Sequence, residues 1–189
     1  MQTHKLIASL LMSLCMCIAT QASAFSLDGT MWERAAKSSK CKVPPLLLYS
    51  IALVESRSGA GKGLVSPHPF ALRNAPSGPV FPSTRSEADA LLERYIVEDR
   101  LTDIGMMQIN YRWNGHRVSD VKSLLNPETN IKVAAEILCE AIKVKRGDLE
   151  LGIGGYHTLN PNREMDARAY ARNVLHIWRA LQRLERTGG

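Results

Sequence analysis

Residues 126–147 specify a whole helix, with both ends and a buried face, and this constrains the chain more than any other feature. Asn126 stands at an N-cap, Pro127 at the first helical position and Gly147 at the stop. Between them Ile131, Ala134, Ala135, Leu138, Ala141 and Ile142 recur at helical spacing as one apolar stripe. Such a stripe must be covered by other elements, and three further stretches are suited to it. Val43 to Ser56 is almost continuously apolar, opened by Pro44-Pro45 and stopped by Gly59, Gly61 and Gly63, as in a buried core helix. Arg85 to Val97 follows Thr84, which lies three residues before Glu87 in a capping-box pattern. Glu164 to Arg186 carries Tyr170, Val174, Ile177, Trp178 and Leu181 at helical spacing. From His68 to Pro82 the chain is rich in Pro and Gly, and Phe70-Ala71-Leu72 and Val80-Phe81 flank Asn74-Ala75-Pro76-Ser77-Gly78, which predicts a short hairpin. Its prolines keep it small and peripheral. The expected fold class is therefore mainly α (α+β).

The first residues read as a targeting segment. Lys5 supplies positive charge, Leu6 to Ile18 is apolar, and Ala22-Ser23-Ala24 is a small-x-small cleavage site. The apolar run is shorter than the about 20 residues of a membrane span, so no stable anchor is expected once residues 1–24 are removed. Export to the periplasm is the expectation, with cleavage after Ala24. The remainder, 25–189, has no repeat, low-complexity tract or long linker and suits a single domain. Cleavage removes Cys15 and Cys17 and leaves Cys41 and Cys139 in an oxidising compartment, where they form either one disulfide or two buried free thiols.

Hydrophobic residues at 45% and charged residues at 22% fit a globular chain and exclude a disordered one. The net charge of +6 attracts an anionic partner. Basic residues never run to five and are interspersed with acidic ones, so no nucleic-acid arm is expected. Neither remaining cysteine has a Cys or His at ligand spacing, and His68, His116, His157 and His176 are scattered. Nucleotide loops and cofactor motifs are missing too, so neither metal nor cofactor is expected.

Glu55 is the residue with the clearest chemical potential. Ala52, Ile51 and Leu48 precede it by three, four and seven positions, which places it on an apolar face at the end of its helix. Burial and the negative end of the helix dipole both disfavour its ionised form. A carboxyl kept protonated near neutral pH suits a general acid, whereas a merely structural Glu would be satisfied by Arg or backbone donors. Asp103-Ile104-Gly105-Met106-Met107-Gln108-Ile109-Asn110 offers a glycine for close approach and two amides for hydroxyl-rich ligands, or simply a turn with core methionines. Gly154-Gly155-Tyr156-His157 sets aromatics beside glycines.

Jointly, these motifs resemble the soluble lytic transglycosylase family, glycoside hydrolase family 23, whose domain is related to goose-type lysozyme. Glu55-Ser56 matches the family's Glu-Ser at the end of its first core helix. Gly105-Met106-Met107-Gln108-Ile109-Asn110 matches its Gly-x-Met-Gln-x-Asn, and Asn126 to Ala135 its helix with Asn-Pro, Asn-Ile and paired alanines. Tyr156 and Tyr170 match its Tyr-Asn motif and its late Tyr, although His157 stands where the family usually has Asn. The likeness covers roughly Lys40 to Trp178 and is greatest with small exported members that serve conjugation and type IV secretion systems.

The resemblance implies a lysozyme-like domain with a core of about 40–178 and an insert of about 60–100 that narrows the cleft. It also implies cleavage of the β-1,4 bond between N-acetylmuramic acid and N-acetylglucosamine in peptidoglycan, with a 1,6-anhydro product and Glu55 as acid and then base. Ser56, Gly105, Met106, Met107, Gln108, Asn110, Tyr156 and Tyr170 become the implied substrate-binding set. Within it, Gln108 and Asn110 position sugar groups or the site's backbone, the tyrosines orient Glu55 or the sugar, and the methionines line the cleft, with core packing the commoner job for one of them. The implied partners are peptidoglycan strands and type IV secretion or pilus components, and the protein is expected to act as a monomer. The competing readings are a hydrolytic muramidase, with Asp99 or Asp103 as the second carboxylate, and a non-catalytic peptidoglycan-binding assembly subunit.

Overall fold

The computed structural model describes residues 25–187; the expected export signal and Cys15 and Cys17 lie outside the described residues. Among the described residues, seven α-helices surround two small antiparallel sheets. The helices are α1 (Met31–Ser38), α2 (Pro45–Ser56), α3 (Arg85–Glu98), α4 (Tyr111–Asn114), α5 (Pro127–Val144), α6 (Leu149–Gly154) and α7 (Glu164–Thr187). The strands are β1 (Arg57–Gly59), β2 (Val65–Pro67), β3 (Leu72–Asn74), β4 (Gly78–Val80), β5 (Asp103–Ile104) and β6 (Ile109–Asn110).

Helix α2 is the centre of the fold because its sequence is apolar on every side. Leu48, Ile51 and Ala52 are fully enclosed, and the helix packs against α1, α5, α7 and both strands of the β1–β2 hairpin. Its buried Ser50 hydroxyl is satisfied locally, donating to the carbonyl of Leu46 at 2.6 Å. The stripe of α5 is covered mainly by α1 and α6. Asn126 caps α5 as its sequence predicts, accepting from the amide of Thr129 at 3.1 Å. The helix ends at Val144, before the expected stop; Gly147, at φ 94°, lies in the turn that follows. Thr84 and Glu87 form the reciprocal capping box of α3.

Helix α1 escapes the sequence reading. It is only eight residues long, too short for a sustained period, and it is held by tertiary burial of Trp32, Ala35 and Ala36 against α2 and α5. Just beyond it Cys41 is bridged to Cys139 on α5, across a Cα separation of 5.5 Å. The bridge therefore staples the N-terminal segment to the helix that α1 covers.

The expected hairpin is β3–β4, in register Leu72↔Val80 and Asn74↔Gly78. It extends into a four-stranded sheet ordered β4-β3-β5-β6, because Leu72 and Arg73 also pair with Ile104 and Asp103. This sheet, which the single expected hairpin understates, carries residues 70–81 up to the end of α2. Among the described residues no helix is long and apolar enough to cross a membrane.

Candidate active site

Glu55 is the next-to-last residue of α2, where the core helix emerges into a cleft. The backbone that carries it is fixed by the enclosed Leu48, Ile51 and Ala52. Its Oε1 accepts a hydrogen bond from the hydroxyl of Tyr170, on α7, at 2.6 Å. Burial pushes the Glu55 carboxyl from its ordinary 4.5 up to about 7; the Tyr170 bond opposes this, the charge of Asp103 adds to it and Arg73 opposes it. Burial also holds the hydroxyls of Tyr156 and Tyr170 well above the usual tyrosine range, so both remain donors.

Two compartments of the cleft meet at Glu55, Arg73, Asp103 and Gln108. The smaller, about 340 Å³, is walled by Ala71, Leu72, Pro79 and Phe81 of the β3–β4 region. The larger, about 830 Å³, runs between Asn110, Trp113 and Asn114 on one side and residues 155–160 on the other. Both volumes are in the range of small-ligand sites. In the wall of the larger one, the ring of His157 lies on that of Tyr170 with centroids 5.1 Å apart and planes 10° from parallel.

The Gly-Met-Met-Gln stretch forms the turn between β5 and β6, and most of its atoms are engaged in holding its own shape. Gly105 has φ 76°, and a Cβ there would lie 2.4 Å from Asn130 Nδ2 and 2.7 Å from the carbonyl of Leu124, so only glycine fits. Asn130, wholly buried on α5, accepts from the amide of Met107 at 2.8 Å and donates to the carbonyls of Leu124 at 2.8 Å and Ile104 at 3.0 Å. Ser56 donates to the carbonyl of Met106 and Tyr156 to that of Met107, each at 2.7 Å. Of these five bonds, all but that to Leu124 tie the turn and the end of β5 to α2, α5 and the segment after α6.

The implied binding set is consequently divided. Gln108, Asn110 and Tyr156 line the cleft, and Tyr170 reaches it through Glu55. Met106 and Met107 do not line it: the two residues are 3% and 0% exposed and their side chains pack in the core, while their carbonyls accept from Ser56 and Tyr156. Ser56 and Gly105 are likewise buried and shape the turn. Even Gln108 commits its amide nitrogen to the carbonyls of Gly105 at 2.9 Å and Ala71 at 3.2 Å.

Of the two aspartates considered, Asp99 caps α3 and accepts from the amide of Leu101 at 2.8 Å, away from the cleft. Asp103 lies in the cleft, its pKa raised by burial while a 2.8 Å bond from Asn110 opposes the rise. Sequence reasoning missed Arg73 and Trp113 as cleft residues and Asn130 as the anchor of the turn. The signal for Asn130 was available: a polar residue beside Ile131 at the edge of a buried stripe needs partners. Arg73 offered no such signal, since its place in the cleft depends on the pairing of β3 with β5. No group of His, Cys, Asp or Glu among the described residues is arranged to hold a metal ion.

No curated protein and no solved structure matches the chain. The model of one family, the transglycosylase SLT domain, matches residues 31–174, from the start of α1 into α7, a span that includes every cleft residue named above. With a match over more than half of its length and a mainly helical fold, the chain belongs to the transglycosylase SLT domain family.

Proposed function

We propose that this protein is a peptidoglycan lytic transglycosylase in which Glu55 alone does the acid and base work. The observation that carries this reading is the half-buried Glu55, its carboxyl raised to about 7 at the junction of the two cleft compartments. At neutral pH about half of such a group is protonated, so one residue can serve first as acid and then as base. Tyr170 occupies Oε1 and leaves Oε2 to carry the proton in the acid form. That proton passes to the oxygen of the β-1,4 bond, and the bond from muramyl C1 breaks with release of an N-acetylglucosamine 4-hydroxyl. The muramyl acetamido oxygen closes on C1 to hold the developing positive charge, as substrate-assisted enzymes do. The muramyl 6-hydroxyl then attacks C1, displaces the acetamido oxygen so that the neutral acetamido group is restored, and gives its proton to the Glu55 carboxylate, which restores the acid and leaves a 1,6-anhydro end.

Removal of residues 1–24 delivers the domain to the periplasm, and local wall opening there serves a conjugation, type IV secretion or pilus apparatus. The supports are the export-type N-terminus and the likeness to members encoded with such systems. Muramidase activity is the second reading, and Asp103 favours it as a second carboxylate facing the same cleft. Mass spectrometry of muropeptides released from purified peptidoglycan separates the two. Anhydro ends that disappear with Glu55→Gln establish the transglycosylase, reducing ends establish the muramidase, and equal activity in both proteins overturns the role of Glu55.

A further inference from the structure

Three arginines line the cleft, Arg73, Arg117 and Arg163. Arg117 is held by Glu140 at 2.6 Å and Arg163 by Asp166 at 2.9 Å. Arg73 makes neither an ion pair nor a side-chain hydrogen bond among the described residues, although it borders both compartments. Its base is rigid. Leu72 and Asn74 on either side are buried, and Asn74 Oδ1 accepts from the amide of Ser77 at 3.0 Å, so strand alternation turns Arg73 outward into the cleft. Asp103 is its partner across the β3–β5 ladder and shares its face of the sheet, yet Asp103 accepts its short hydrogen bond from Asn110 instead. A guanidinium with its donor fork free, on a fixed strand, beside the apolar surfaces of Pro79 and Phe81, has the chemistry to take a planar carboxylate next to a sugar ring.

We propose that Arg73 makes the smaller compartment a carboxylate-recognising subsite that seats a muramyl unit by the acidic group carried on its lactyl arm. In peptide-free strands this group is the lactyl carboxylate itself; in peptide-bearing strands it is the nearest carboxylate of the stem peptide. The subsite makes the protein discriminate muramyl glycans from uncharged chitin-type oligomers of equal length. The proposal rests on the reading of this cleft as a peptidoglycan site and deepens it by assigning what one compartment recognises.

Binding separates the two ideas, since it requires no turnover. In a Glu55→Gln background, calorimetric titration uses three soluble ligands: peptide-free muramyl strands, peptide-bearing muramyl strands and chitotetraose. Arg73→Ala is expected to weaken one or both muramyl ligands about tenfold and to leave chitotetraose unchanged, with Arg73→Lys retaining part of the difference. The muramyl ligand that loses affinity identifies which carboxylate is held. Equal loss on all three ligands, no loss on any, or failure of the parent to bind either muramyl ligand overturns the subsite. With Glu55 restored, Arg73→Ala is expected to raise KM on muramyl strands by a larger factor than it lowers kcat, with the alkaline limb of the profile moving upward because a positive charge near Glu55 is lost; a fall in kcat with KM unchanged assigns Arg73 to tuning Glu55 alone and refutes the proposal. Wild-type product analysis stands apart from these titrations, so loss of the transglycosylase reading and loss of the subsite are seen separately.

Discussion

Replacing Glu55 by glutamine removes a carboxyl that the fold protonates more readily than the unfolded chain does, and the consequence is a stability difference that depends on pH. The carboxyl goes from an ordinary 4.5 to about 7, chiefly through burial. Between these values the folded state binds more protons than the unfolded state, so wild-type stability falls as pH rises. The fall begins near 4.5, is steepest midway between 4.5 and 7, and levels off above 7. At 1.36 kcal/mol for each pH unit, the full cost of ionising Glu55 in the folded state is about 3 kcal/mol. Glu55→Gln has the same shape and no proton to lose, so its stability relative to wild type is expected to improve by about 2–3 kcal/mol between pH 4.5 and pH 8.5, the lower end allowing for partial exposure of the group to water. Urea denaturation with the Cys41–Cys139 bridge intact, followed at four pH values across that range, measures this directly. A constant difference between the two proteins, or one that shrinks with pH, refutes the claim that burial raises Glu55.

Tyr170→Phe removes the donor to Glu55 Oε1, which lowers the carboxyl's pKa, so the alkaline limb of the activity profile is expected to move upward by about one pH unit with a fall in kcat; an unmoved limb in a kcat profile contradicts it. Asn130→Ala leaves the amide of Met107 and the carbonyls of Ile104 and Leu124 without their partner, and chemical denaturation is expected to show a loss of about 3 kcal/mol. Gly105→Ala places a methyl against Asn130 and Leu124 at φ 76°, so a thermal melt is expected to fall by several degrees, with activity reduced even at temperatures where the variant is folded. Reducing the Cys41–Cys139 bridge, or replacing both cysteines by serine, is expected to cost up to about 5 kcal/mol in denaturant titrations, since it releases a closure spanning 98 residues.

Much of the helical frame was legible because it is written in local chemistry. Asn126-Pro127 and the Thr84/Glu87 pair satisfy helix-end amides from within a few residues, and the stripe of α5 repeats often enough to be read. Helix α1 was not legible: eight residues carry too few periods, and its stability comes from burying Trp32 against elements distant in sequence. The same contrast holds within the site. Glu55 could be located from the apolar spacing of Leu48, Ile51 and Ala52, but its hydrogen bond to Tyr170 crosses 115 residues and exists only once α7 packs on α2. The methionines of the turn read as cleft residues because the motif is adjacent to the chemistry; burial shows that its carbonyls do the anchoring while the side chains fill the core.

The sequence by itself determined the helical class and the helix that presents Glu55, because capping and periodicity act over short stretches of chain, whereas the pairing of Cys41 with Cys139 came from the structure. Only the tertiary structure decided which groups surround that carboxyl. Pairing of β3 with β5 brings Arg73 and Asp103 to it, the packing of α7 brings Tyr170, and Asn130 bolts the turn beneath it. Strand register and helix packing are set by where apolar surface from distant segments can be buried together, so the position of a side chain carried by such an element is a property of the whole fold.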